Sequence, residues 1–198
     1  KVVFSKIPKE YGVANSDIMF TSYWLNNDIK GYSSYDVIRE YLENDAVPEK
    51  LVIVDDYMGS GDTVTGALKT MLSVAELHNS KLYVLVIHAS QIGIKNLNAF
   101  ISERGLDLTF ICLENTDKAF QEDYIFSKID AKLKEEEYRQ ICDCKNVSKG
   151  AVLGYKDIQS LVAFDKTTPN DTLGLFWHSA ENFVALFRKN SQPRNTSI

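Results

Sequence analysis

The chain has no excess of basic residues. Its 198 residues carry 22 Lys or Arg against 27 Asp or Glu, a formal net charge of −5. That balance excludes a protein that coats DNA or RNA through a general basic surface, while leaving room for a local pocket for a small anion. Long hydrophobic runs are also missing. The longest, at residues 82–86 and 51–54, fall far short of the roughly 20 residues a membrane span requires. No signal-peptide pattern opens the sequence, which begins at Lys1 and an apolar run, Val2-Val-Phe4, without Met; a longer parent protein is expected. Cysteines are few and odd in number: Cys112, Cys142 and Cys144. One of them lies inside the apolar run Phe110-Ile-Cys-Leu113, which fits a reducing, cytoplasmic setting better than a disulfide framework. Cys142-Asp-Cys144 has no matching second pair, so a four-ligand zinc site is not expected. No repeat and no low-complexity tract interrupts the chain.

What is present is ordinary globular material: 44% hydrophobic and 25% charged residues. At this length about 70% of the unfolded surface can be buried, so the core needs no covalent or metal staple. Val2-Val-Phe4 reads as a first strand. Residues 33–44 read as an amphipathic helix, capped by Ser33 or Ser34, with Val37, Ile38, Tyr41 and Leu42 on one face. The continuous β-branched run Leu51-Val-Ile-Val54 suits a strand buried on both faces of a parallel sheet. A helix over 63–77 follows, then a strand over 81–88, a helix over 96–104 stopped by Gly105, and a strand over 106–113. Strand–helix–strand–helix–strand implies right-handed βαβ crossovers. The expected fold class is α/β, a doubly wound parallel sheet formed by residues 1–116. Residues 117–198 then form a C-terminal helical and strand elaboration of the same domain, helical over 117–144, with a solvated charged run at 132–138 and a loose tail from Pro193.

The chemistry concentrates in Leu51-Val-Ile-Val-Asp-Asp-Tyr-Met-Gly-Ser-Gly-Asp-Thr63. A buried strand ends at two carboxylates, Asp55 and Asp56. The chain then turns through Gly59, Ser60, Gly61, Asp62 and Thr63 into the first turn of a helix. The free N–H groups of a helix start attract an anion, and the hydroxyls of Ser60 and Thr63 add donors. The site falls at the carboxyl end of a sheet strand, where open α/β sheets bind ligands. Two acids beside a phosphate cradle repel the ligand unless they accept hydrogen bonds from ribose hydroxyls or hold magnesium. The P-loop lysine and the G-x-G-x-x-G fingerprint are both absent.

Val54-Asp-Asp-Tyr-Met-Gly-Ser-Gly-Asp-Thr63 resembles the 5-phosphoribosyl 1-pyrophosphate (PRPP) motif of type I phosphoribosyltransferases. The resemblance implies that Asp55 and Asp56 read the ribose diol, also meeting magnesium through ribose or water, and that residues 59–63 bind the 5-phosphate. Gln159-Ser-Leu-Val-Ala-Phe164, Thr168-Pro-Asn-Asp-Thr-Leu173, Phe176-Trp177 and Leu186-Phe-Arg188 resemble the C-terminal segment of divergent bacterial phosphoribosyltransferase-like proteins from anti-phage defence loci. Asp171 and Gly174 depart from that pattern, which has Asn and Pro there. The family also needs a pyrophosphate loop after the first strand. Ser5-Lys-Ile-Pro-Lys9 supplies Lys6 and Lys9; Gly12-Val-Ala-Asn-Ser16 is the alternative without a basic residue. Residues 31–34 are one place for a catalytic loop.

Two functions follow from the resemblance. One is a Mg²⁺-dependent transferase, moving phosphoribose from PRPP or cleaving a nucleotide as a defence effector. The other is a catalytically inactive module that senses a ribose 5-phosphate nucleotide and acts on a protein partner in a defence complex. Trp177, Phe176 and Tyr155 are core aromatics first and nucleobase-stacking candidates second. His88 reads as structural, and Arg188 and Arg194 as surface residues.

Overall fold

The computed structural model describes residues 2–6, 32–33, 49–72, 79–164, 168–179 and 183–187. Five strands, β1 (Val2–Lys6), β2 (Tyr32–Ser33), β3 (Lys50–Met58), β4 (Lys81–Ser90) and β5 (Leu108–Thr116), pair in parallel in the order β2-β1-β3-β4-β5. Helix α1 (Asp62–Leu72) joins β3 to β4, and α2 (Gln91–Arg104) joins β4 to β5. The chain divides into two compact units, Lys1–Thr116 and Asp117–Ile198.

The first unit is organised by β3. Leu51, Val52, Ile53 and Val54 are all buried, as a strand covered on both faces must be. The register sets Leu51 opposite Leu82 and Ile53 opposite Val84. These side chains pack with Val64, Ala67 and Leu68 of α1 and with Leu97 and Phe100 of α2 in one core. Along β4 the buried positions run Leu82, Val84, Val86 and then Ala89, so the alternation slips by one at Ile87–His88. The slip brings Ala89 into the same core as Met58, while His88 stays half-exposed at the carboxyl edge of the sheet.

Several boundaries differ from the sequence reading. β3 does not end at the acids: it continues through Asp55 and Asp56 to Met58, with Tyr57 opposite His88 and Met58 opposite Ala89. Helix α2 starts at Gln91 and not at residue 96, because Ser90 caps it by accepting the Gly93 N–H. Gly93, a poor helix former, hid that first turn. Tyr32–Ser33 pairs with β1 as a strand; beyond Ser33, the helix expected over 33–44 lies outside the described residues. So do the last turn expected for α1 beyond residue 72 and the tail expected from Pro193.

The second unit has its own core of Ala119, Tyr138, Cys142, Val147, Ala151, Val152, Leu153 and Leu173. Its helix α3 (Lys128–Cys144) is shorter than expected, because residues 117–127 form turns. Ser127 sets the start: its hydroxyl donates to Asp130 Oδ2 (2.6 Å) and accepts the Asp130 N–H. Within the charged run at 132–138, Tyr138 turns inward. Its hydroxyl donates to Val152 O (2.9 Å) and accepts the Leu175 N–H (3.1 Å), tying the helix to the irregular chain beyond it. Among its described residues that chain holds two short 3₁₀ turns, Tyr155–Asp157 and Gly174–Phe176, and an isolated bridge between Ser160 and Thr172. Residues 161–164 form no strand.

Candidate functional site

The site candidates of the first unit follow one another along β3 and the turn after it. Asp55 is half-buried, and its Oδ1 accepts the backbone N–H of Asp56 at 3.0 Å. Asp56 is 2% exposed. Successive strand residues face opposite sides, so the two carboxylates do not present equally. Asp55 is the accessible acid and Asp56 the enclosed one. Among the described residues, no cluster of three or more His, Cys, Asp or Glu could cage a metal ion. One accessible carboxylate does fit magnesium, which keeps most of its waters and takes one or two protein carboxylates together with substrate oxygens.

The turn after β3 is tight. Gly61 has φ +81°, a left-handed value that a side chain would strain. Its carbonyl accepts the Thr65 N–H (2.9 Å) and the Thr65 hydroxyl (3.0 Å), the first bonds of α1. The Ser60 hydroxyl donates to Asp62 Oδ2 at 2.6 Å, and the exposed Asp62 stands in the first turn of α1, where a negative charge meets the positive helix end. Thr63 is half-buried beside it. The residues of the cradle are therefore contiguous at the start of α1, with Asp62 already engaging one of its hydroxyls.

Three residues of the following βα turn hold this loop, and the sequence reading missed them. Ser90 Oγ donates to Gly59 O at 2.6 Å and accepts the Gly93 N–H at 2.9 Å. Asn96 Nδ2 donates to Ser60 O at 2.9 Å. Gly93 lies so close beneath the loop that a Cβ there would run into Gly59 O. The glycine inside a helical pattern was the one available signal; nothing local distinguishes Asn96 from a surface polar residue.

At the same edge, the His88 ring stacks on Tyr57 with centroids 5.9 Å apart, and its Nε2 lies 3.0 Å from Thr116 Oγ1. Burial pushes the His88 pKa below its usual value, and Glu114, opposite it in β5, opposes that shift in part. Lys6 is the last residue of β1, in register with Val54. Lys9 and residues 12–16 lie outside the described residues. In the second unit, Phe176 and Trp177 pack against the core, and Trp177 Nε1 donates to Thr172 O (2.8 Å). Tyr155 is exposed, with Lys156 Nζ 5.6 Å from its ring centre.

A five-stranded parallel sheet with helices between its strands, and a glycine-bearing turn from an acidic strand end into a helix, define an α/β protein of the phosphoribosyltransferase-like class. Residues 2–189 match the PRTase-CE family, and the chain belongs to that family. No curated protein matches it. Among the described residues, no helix is long and apolar enough to cross a membrane.

Proposed function

We propose that the chain binds PRPP or a ribose 5-phosphate nucleotide at the carboxyl edge of β3. The observation that carries this reading is the continuity of Asp55, Asp56 and the turn 59–63 into the start of α1, in a chain of a phosphoribosyltransferase-like family: the acids would serve as diol acceptors and the turn as an anion seat. The strand order supports it, because the direction of strand addition reverses between β1 and β3, as a doubly wound sheet requires, and ligands bind beside such a reversal. Asp55 would accept from the ribose hydroxyls. Gly59, Ser60, Gly61, Asp62 and Thr63 would receive the 5-phosphate through backbone amides and hydroxyls. Mg²⁺, held by Asp55 through ribose or water, would neutralise pyrophosphate. Lys6 and Lys9 remain the candidates for that group's loop.

If the chain is a transferase, its residues orient the ribose and stabilise developing charge, and no covalent step falls to a side chain. The second reading is a nucleotide-sensing subunit of an anti-phage defence assembly. It uses the same cradle and needs no pyrophosphate loop; the Ser60–Asp62 hydrogen bond bears on both readings alike, because either ligand's 5-phosphate must draw the Ser60 hydroxyl from Asp62. Calorimetric titration with PRPP and Mg²⁺ and with nucleoside monophosphates tests both. Binding with turnover supports the transferase and binding alone the sensor. Absence of binding, or an unchanged affinity in the Asp55→Asn, Asp56→Asn double variant, overturns both.

A further inference from the structure

We infer that Ser90 and Asn96 are positioning residues for the phosphate seat, acting through the peptide planes of the loop and not by touching the ligand. This rests on the proposed ribose 5-phosphate reading and adds the device that would make the seat work. Ser90 takes the carbonyl of Gly59, and Asn96 takes the carbonyl of Ser60. These carbonyls belong to consecutive peptide groups, and the described residues contain no cis peptide. In a planar trans peptide the C=O and N–H point in opposite directions. Drawing Gly59 O toward the α2 side therefore turns the Ser60 N–H away from it, and drawing Ser60 O the same way turns the Gly61 N–H away as well. The result is two adjacent amide donors fixed on the side of the loop remote from α2.

The acceptor also settles the orientation of the Asn96 amide, since a carbonyl oxygen accepts only from its NH₂. Gly93 completes the arrangement: only a residue without Cβ lets the start of α2 come this close beneath Gly59. Ser90 has a second role as the α2 cap, which fixes its hydroxyl between the Gly93 N–H it accepts and the Gly59 carbonyl it serves. The loop is thus aimed by the next βα turn rather than by its own residues.

The test uses the full chain labelled with ¹⁵N, titrated with ribose 5-phosphate and followed by amide chemical shifts and calorimetry. In the wild type the Ser60 and Gly61 amide protons should move as ligand is added. Asn96→Ala should weaken binding by roughly 3- to 10-fold, one hydrogen bond's worth, and reduce the ligand-induced shift at Gly61 more than at Ser60. Ser90→Ala should reverse that order, and Asn96→Asp, which sets a carboxylate against the Ser60 carbonyl, should weaken binding further than Asn96→Ala. Asn96→Ala should also lower the melting temperature slightly, as the loss of one hydrogen bond does; the selective loss of the ligand-induced shift at Gly61 is the readout that a merely structural role would not move. If the wild type binds while Asn96→Ala keeps its affinity and its Gly61 shift, the positioning role is wrong and the binding site stands. If the wild type binds no ribose 5-phosphate, both fall.

Discussion

Asp55 and Asp56 are neighbours with different surroundings, and they should separate under mutation. Asp55 is accessible, so Asp55→Asn should cost ribose ligands about 10-fold or more in affinity, the usual loss for a hydrogen bond to a charged group, with little change in melting temperature. Asp56 is enclosed and engaged with its neighbours. Asp56→Ala should therefore destabilise the chain by about 1–3 kcal/mol, measured by urea unfolding, through the polar groups it strands. Equal effects of the two variants on stability would contradict this division. The sequence displayed both acids as one motif. Their unequal burial was not legible, because it depends on β3 continuing four residues past Val54 under the pull of β4.

His88 adds a pH dependence of defined sign. Its folded pKa is lowered, mainly by burial. Between that lowered value and the ordinary value near 6.5, the unfolded chain binds more protons than the folded one, so this contribution to stability is lost as pH falls. The melting temperature should drop between pH 7 and pH 5, and His88→Gln should flatten that slope. A slope unchanged by the substitution would show that other groups carry it. Among the thiols, exposed Cys144 should alkylate first. Cys142 is fully buried with its pKa raised by burial, and should react only on unfolding.

Helices and strands were legible wherever a hydrophobic period is long, and poorly legible at their ends. The four apolar residues of β3 and the spaced Val64, Ala67 and Leu68 of α1 announced themselves, since burial on the sheet dictates their spacing. The start of α2 did not, because its first turn holds Gly93 for a close approach to another loop, a tertiary reason no local pattern carries. The expected helix over 117–127 failed for a tertiary reason as well: Ala119 and Phe120 reach the second unit's core from a turn, with Phe120 stacked on Phe126, contacts that no local pattern carries. Tyr138 shows how the second unit replaces regular structure with single ties. Its hydroxyl serves both Val152 O and the Leu175 N–H. Tyr138→Phe should therefore cost about 1–3 kcal/mol in chemical denaturation, more than a surface substitution such as Lys132→Ala. Near-neutral behaviour of Tyr138→Phe would mean that water replaces the hydroxyl. Gly154 is the stricter case, with φ +74° and no room for a Cβ against the Asp171 carbonyl; Gly154→Ala should lower the melting temperature more than Tyr138→Phe.

The division into Lys1–Thr116 and Asp117–Ile198 gives the two functional readings different footprints. A transferase completes its chemistry where the ribose and phosphate sit. Hydrogen exchange with saturating PRPP and Mg²⁺ should then slow only within the first unit: at Asp55 and Asp56, the turn 59–63, the start of α1, the Lys6–Lys9 segment and the Ser90–Asn96 stretch that holds the loop. A sensor must carry occupancy to a surface a partner can read, so slowing should extend into the second unit, where the Tyr138 ties and the Ser160–Thr172 bridge supply amides to follow. Ligand alters protection in a unit only through a differential contact with one of that unit's states, or through a unit that makes one. Slowing confined to the first unit, together with PRPP turnover, would therefore favour the enzyme. Slowing that reaches α3 without turnover would favour the sensor. No slowing at 59–63 under saturating ligand would remove the shared premise of both, leaving the acids and the turn as architecture alone.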